Sequence, residues 1–186
     1  MNNIEDIIQS IQDDRWMMDI LNAAQQLQLP DWWICAGFVR SKVWDVLHGF
    51  DERTVLPDID VVYFDEGIID EDEEKRLERV LHEIKPEVPW SVKNEARMHV
   101  RNNMDPYSST EDAIAKFPET ATALGVKLNM DGDLILIAPH GVDDLLNMLV
   151  RPTPYFAKSN ELFTIYKNRV VEKNWSRRWD KIKLDV

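Results

Sequence analysis

The sequence predicts an α+β domain: a mixed β-sheet with helices over one face, flanked by N- and C-terminal helices. Three observations lead there. Segments with apolar residues at helical spacing alternate along the chain with short strand-like runs. The strand-like runs put polar groups on one face and apolar groups on the other, as a sheet covered by helices on one side requires. A hairpin signal, "KLNMDGDLILI", joins two strands through Asp131 and Gly132.

The elements follow in order. Ile4, Ile7, Ile8 and Ile11, then Met17, Ile20, Leu21, Ala24 and Leu27, recur at helical spacing, and Pro30 and Asp31 end that segment. "WWICAG" is a short apolar run, a buried strand closing at Gly37. "FVRSKVWDVLHG" carries Val39, Val43, Val46 and Leu47 at helical spacing and stops at Gly49. A loop then leads to "PDIDVVYFD", a strand with acidic residues at its start. "DEDEEKRLERVLHEI" is a helix with acid in its first turn, ended before Pro86. "WSVKNEARMHV" alternates: Trp90, Val92, Asn94, Ala96 and Met98 line one face of a strand, and Ser91, Lys93, Glu95, Arg97 and His99 the other. "SSTEDAIAKFP" opens as a capped short helix. The hairpin follows, then a short helix at "GVDDLLNMLV" and another over about residues 159–172.

The chain has 186 residues, which suits one domain over 1–186. Within it, 1–30 reads as an N-terminal helical segment, 31–150 as the core and 151–186 as a C-terminal helical, basic segment. With 44% hydrophobic residues it can bury a substantial core. It shows no apolar run long enough to cross a bilayer and no basic-then-apolar leader, so the expected location is cytoplasmic, with no membrane partner. Cys35, the single cysteine, cannot form an internal disulfide and reads as a small core residue. The net charge of −12 argues against a broad grip on nucleic acid. The basic stretch "KNRVVEKNWSRRWDKIK" is either a solvated face or a place to hold an anion. Its Trp175 and Trp179 are expected to pack the tail onto the domain.

Asp58 and Asp60 raise the functional question. Alternate residues of a strand share a face, so the two carboxylates point the same way. Like charges that close repel unless a cation sits between them. The strand "WWICAG" turns at Ala36 and Gly37 into a helix whose free amides suit phosphate, with Arg40 in its first turn. Glu95, on the polar face of a later strand, is the candidate third carboxylate. Oxygen ligands of this kind hold Mg²⁺ or Mn²⁺, which can activate an attacking oxygen and steady a leaving pyrophosphate.

"AGFVRSKVWDVLHGF" followed by "PDIDVVYFD" resembles the head of the nucleotidyltransferase superfamily, in which a Gly-Gly or Gly-Ser turn opens a helix and a D-x-D strand follows. Ala36–Arg40 is similar to the Gly-Gly-x-Val-Arg of tRNA nucleotidyltransferases. The fuller pattern, with "WSVKNEARMH", "STEDAIAKFPETATALGVKL" and "APHGVDDLLNMLVRPTP", resembles small bacterial nucleotidyltransferase-like proteins from Asp31 to Pro154. The resemblance implies a Mg²⁺-dependent enzyme that moves a nucleotidyl group from a nucleoside triphosphate to an acceptor hydroxyl. Asp58, Asp60 and Glu95 would be catalytic and hold metal; Gly37, Phe38, Arg40 and Lys93 would bind the nucleotide. The acid charge favours a small molecule or a protein side chain over a long nucleic acid as acceptor. Two departures stand out: Ala36 replaces the first glycine, and Phe38 stands where a small residue is usual. They favour one rival class, a catalytically silent nucleotide sensor; the other, an antitoxin-like interaction protein, would show an exposed apolar patch and a lost D-x-D, and here the D-x-D is kept.

Overall fold

The computed structural model describes residues 1–185. Five strands form the central sheet: β1 (Trp33–Cys35), β2 (Ile59–Tyr63), β3 (Trp90–Asn94), β4 (Gly125–Leu128) and β5 (Leu134–Ile137). Their order across the sheet is β3-β2-β1-β4-β5. β2 and β3 run parallel, and the other pairings are antiparallel. The β2–β3 crossover is made by α4 (Glu71–Ile84), as a parallel pair requires.

Strand alternation divides the residues cleanly. Ile34, Ile59, Val61, Tyr63, Trp90, Val92, Val126 and Leu134 face the main core. Packed there are α1 (Ile4–Gln12), α2 (Arg15–Gln25), α3 (Gly37–His48) and α4, through Ile7, Ile11, Ile20, Leu21, Val39, Val43, Trp44, Leu77 and Leu81. The second face carries a smaller apolar cluster of Trp33, Cys35, Val62, Ala123 and Ile114, the last from α6 (Thr110–Ala115). Helix starts are fixed locally: Asn3, Asp14, Asp70 and Ser109 each accept a hydrogen bond from an amide of the first turn. Gly49, at φ 69°, closes α3 in the left-handed conformation.

One strand is shorter than its alternation predicts. "WSVKNEARMHV" is extended only to Asn94 and continues as α5 (Glu95–Asn102). The Asn94 side chain accepts from the amides of Asp65 and Ala96 and donates to the carbonyls of Asp65 and Ile68. It thereby caps the helix and pins the preceding loop. Glu95, Ala96, Arg97 and Met98 favour a helix once such a cap exists. Arg97 therefore leaves the predicted polar strand face and pairs with buried Glu74 at 2.8 Å. The predicted helix at "GVDDLLNMLV" is also brief: α7 covers Asp143–Leu146, and Met148, at φ 53°, turns the chain into β6 (Leu149–Val150).

The C-terminal segment wraps back over the domain. After α8 (Pro154–Ala157) and α9 (Asn160–Lys173) comes a 3₁₀ turn, Trp175–Arg177, and then β7 (Lys183–Leu184), parallel to β6. Trp175 and Trp179 are buried and meet Trp44 edge-on, with ring centroids 6.0 and 5.2 Å away. The Trp179 indole donates to Asp45 at 2.9 Å. Among the described residues no helix is long and apolar enough to cross a membrane.

Candidate active site

Two adjoining clefts open on the second face of the sheet, and Asp60 lies on the wall between them. The first, about 330 Å³, is lined by the turn at Ala36 and Gly37, by Arg40 and Ser41, by the approach to β2 from Thr54 to Asp58, and by Arg169, Lys173, Trp175 and Trp179. Ala36 is the pivot. Its backbone, at φ 51° and ψ −111°, lies in a region that glycine enters freely and an L side chain enters under strain. The turn demands this so that β1 can reverse into α3. The conformational need for glycine thus falls on position 36. A methyl group at Gly37 would meet only the end of Arg40, at 3.6 Å. No side chain caps the first amides of α3, so they stay free toward the cleft.

Arg40 is 9% exposed and has an unusual setting for a cation. Its guanidinium carbon lies 4.8, 5.3 and 5.8 Å from the rings of Trp175, Trp44 and Trp179. Its hydrogen-bond partner is the Ser41 hydroxyl at 3.3 Å, and its buried Nε has none. Among the described residues no carboxylate pairs with it. Burial lowers its pKa to about 10, although Glu119, Asp58 and Asp45 act in the opposite sense. The indole cage compensates part of the lost hydration, and Arg40 is one of the residues that line the first cleft.

Asp58 is exposed just before β2, and Asp60 is partly buried within it. Burial first, and the Asp58 charge second, hold the Asp60 carboxyl above its usual range; a Ser91 hydrogen bond and the Lys93 and Lys173 charges moderate this. Glu95 reaches the same neighbourhood from the first turn of α5, by a helical route that strand alternation could not supply. It is 5% exposed, and burial with the Asp60 and Glu74 charges pushes its pKa to about 8. The donor set is all carboxylate oxygen, with a mutual repulsion that a hard divalent cation would relieve, so Asp58 and Asp60 fit Mg²⁺ or Mn²⁺. Among the described residues no three His, Cys, Asp or Glu side chains converge as one metal-holding group. Glu95 stands close enough to Asp60 to feel its charge.

Other predicted residues distribute differently. Phe38 is 2% exposed and packs in the core against Trp16, with ring centroids 6.1 Å apart. Its side chain does not line the cleft, because the helical turn after Gly37 carries it to the opposite side of α3. Lys93 lines the second cleft but is held by Glu78 at 3.4 Å and by the Val92 carbonyl at 2.9 Å. Sequence reasoning missed Arg169 and Lys173. Their one signal is the basic stretch that begins near α9, since their place over Asp60 depends on how that helix packs. Arg169 pairs with fully buried Glu119 at 2.8 Å, whereas Lys173 makes no ion pair among the described residues. The second cleft, about 610 Å³, shares Ala36, Asp60 and Arg169 with the first and adds Lys93, Glu95 and an apolar lining from α5, α8 and α9.

Comparison with known proteins gives concordant results. A family model described as nucleotidyltransferase matches residues 22–184. An NMR structure described as revealing a CCA-adding enzyme head domain superposes with a TM-score of 0.88 at 35% identity, covering 100% of this chain and 97% of that one. The Thermotoga maritima CCA-adding enzyme complexed with tRNA is similar in fold, with a TM-score of 0.59 at 16% identity over 100% of this chain and 43% of that one. A CCA-adding enzyme in complex with CTP gives 0.60 at 15%, covering 100% of this chain and 44% of that one. The chain thus spans less than half the length of those two enzymes. Among curated proteins none matches it.

Proposed function

The chain belongs to the nucleotidyltransferase family, and from that premise we propose that it joins the nucleotidyl group of a nucleoside triphosphate to an acceptor hydroxyl, releasing pyrophosphate. The observation that carries this reading is Arg40: a buried guanidinium with an unsatisfied Nε and no carboxylate partner, facing the same cleft as Asp58 and Asp60. Such a group is costly to bury unless an anion completes it. Structures of CCA-adding enzymes with CTP and with ATP support a nucleoside triphosphate as that anion.

In this reading the triphosphate lies along the start of α3. The free amides of Gly37, Phe38 and Val39 meet its oxygens, Arg40 takes the outer phosphates, and Lys173 approaches from α9. Asp58 and Asp60 hold Mg²⁺ or Mn²⁺, which when bound supplies charge neutralisation at the phosphates and acidifies a nearby hydroxyl. Arg169 stays anchored to Glu119 and fixes α9 over the cleft. Glu95 keeps its proton below about pH 8 in the free protein. It can accept the acceptor's proton above that pH, or once a cation lies beside it. Most of the rate enhancement comes from positioning and charge stabilisation.

The test is Arg40→Ala, read by calorimetric binding of a triphosphate and of the matching monophosphate in Mg²⁺ buffer. The loss should be about ten- to a hundredfold for the triphosphate and small for the monophosphate, as expected for one charge-assisted contact to the outer phosphates. Equal losses would place Arg40 elsewhere and remove the support for this orientation.

A further inference from the structure

The two clefts that meet at Asp60 differ in electrical character. In the first, Arg40 and Lys173 carry charge without an ion-pair partner among the described residues. In the second every cation is already paired: Lys93 with Glu78 at 3.4 Å, Lys116 with Asp112 at 2.9 Å, and Arg169 with Glu119 at 2.8 Å. Its carboxylates, Asp60, Glu95 and Glu172, leave it neutral to acidic. Its body is apolar, built by Met98 and Met104 around α5, Phe117 after α6, and Phe156, Leu162 and Ile165 from α8 and α9. A phosphate backbone needs unpaired Lys or Arg along its path, and this cleft provides none. The volume, about 610 Å³, is that of a pocket for one small molecule.

We propose that this second cleft is the acceptor site and that the acceptor is a small, phosphate-free alcohol with an apolar or aromatic body. The proposal rests on the nucleotidyl-transfer reading above and names its substrate class. The body packs among Met98, Met104, Phe117, Phe156, Leu162 and Ile165, and the hydroxyl points to the shared wall at Asp60 and Glu95. The hydroxyl oxygen bonds to the α-phosphorus arriving from the first cleft, and the α–β phosphoanhydride bond breaks. Pyrophosphate leaves with that bond's electron pair, and the hydroxyl proton passes by way of Glu95 to water. Met side chains suit such a site because they adapt to irregular apolar shapes.

Two measurements test this on the full chain. N-phenyl-1-naphthylamine, a neutral apolar dye, should bind saturably, and Mg·ATP should leave its affinity within about twofold, because the two occupy different clefts. Ile165→Glu places a charge at a position already 49% exposed, so the fold should tolerate it. It should weaken the dye about tenfold or more and leave ATP affinity within about twofold. Separately, triphosphates radiolabelled at the α-phosphate are incubated with small-molecule, RNA and protein fractions of a cell extract. Label should appear on an apolar small molecule and appear more slowly with Ile165→Glu. Competition between dye and ATP would assign the cleft to the nucleoside and overturn the proposal. Label on RNA or protein would overturn the acceptor class while leaving transfer intact. Bound triphosphate with no labelled product in any fraction would refute nucleotidyl transfer itself, and the acceptor site with it.

Discussion

Replacing Glu95 by Gln should stabilise the ligand-free protein, and more so as pH rises. Glu95 is 5% exposed, near Asp60 and Glu74, whose charges disfavour its ionised form, while Lys93 favours it. Cys35 also feels its charge, but its thiol is raised far above neutrality and does not ionise in this range. The folded-state pKa of Glu95 is about 8, against an ordinary 4.5. A carboxyl with a raised pKa is held comfortably only in its protonated form. Its contribution is therefore intact below about pH 4.5 and is lost progressively as pH rises toward 8. Linkage between the two values puts the penalty at about 1 kcal/mol at pH 5 and about 3 kcal/mol at pH 7. Gln keeps the shape and removes the ionisation. For a domain of this size that is a rise in melting temperature of roughly 2–4 °C at pH 5 and roughly 6–12 °C at pH 7. Thermal melts followed by circular dichroism in chelator-treated buffer measure both. A gain of the same size at the two pH values, or a lower melting temperature at pH 7, would refute the reasoning. Equal gains would mean that Glu95 is already ionised at both pH values, and a lower melting temperature at pH 7 would mean that its charge stabilises the folded protein.

Other consequences can be checked alongside. Asp60→Asn should also raise the metal-free melting temperature at neutral pH, since it removes a partly buried carboxylate repelled by Asp58, and the gain should vanish below about pH 4. The same variant should lose the additional stabilisation that Mg²⁺ plus triphosphate gives the wild type; an unchanged ligand-dependent shift would remove Asp60 from the metal site. Ala36→Gly relieves strain of about 1–3 kcal/mol and adds about 0.5–1 kcal/mol of unfolded-state entropy. Denaturant titration should show a net gain of about 1 kcal/mol, and a loss would mean the φ of 51° is not strained.

Much of this protein was legible in the linear sequence because the signals are local. Alternation expects Asp58 and Asp60 on one face; the strand itself begins only at Ile59, and both aspartates line the first cleft. The helix that opens after Gly37 and ends at Gly49 was marked by its spacing and its terminal glycine. The head motif carried the family. What the sequence could not decide depends on contacts between distant segments. The alternation at "WSVKNEARMHV" fits a strand throughout, and it gives way at Asn94 because that side chain bonds to residues 65 and 68 across the sheet edge. Glu95 consequently reaches Asp60's surroundings from a helix, and Arg97 turns away to Glu74. The indole cage of Arg40 joins α3 to residues 175 and 179, and the Asp45–Trp179 hydrogen bond spans 134 positions. Arg169 and Lys173 read as members of a basic run until α9 packs over the cleft. Local patterning fixed which residues share a face of each element. Only packing, by burying one charge beside another or leaving it unpaired, decided which of them line the clefts.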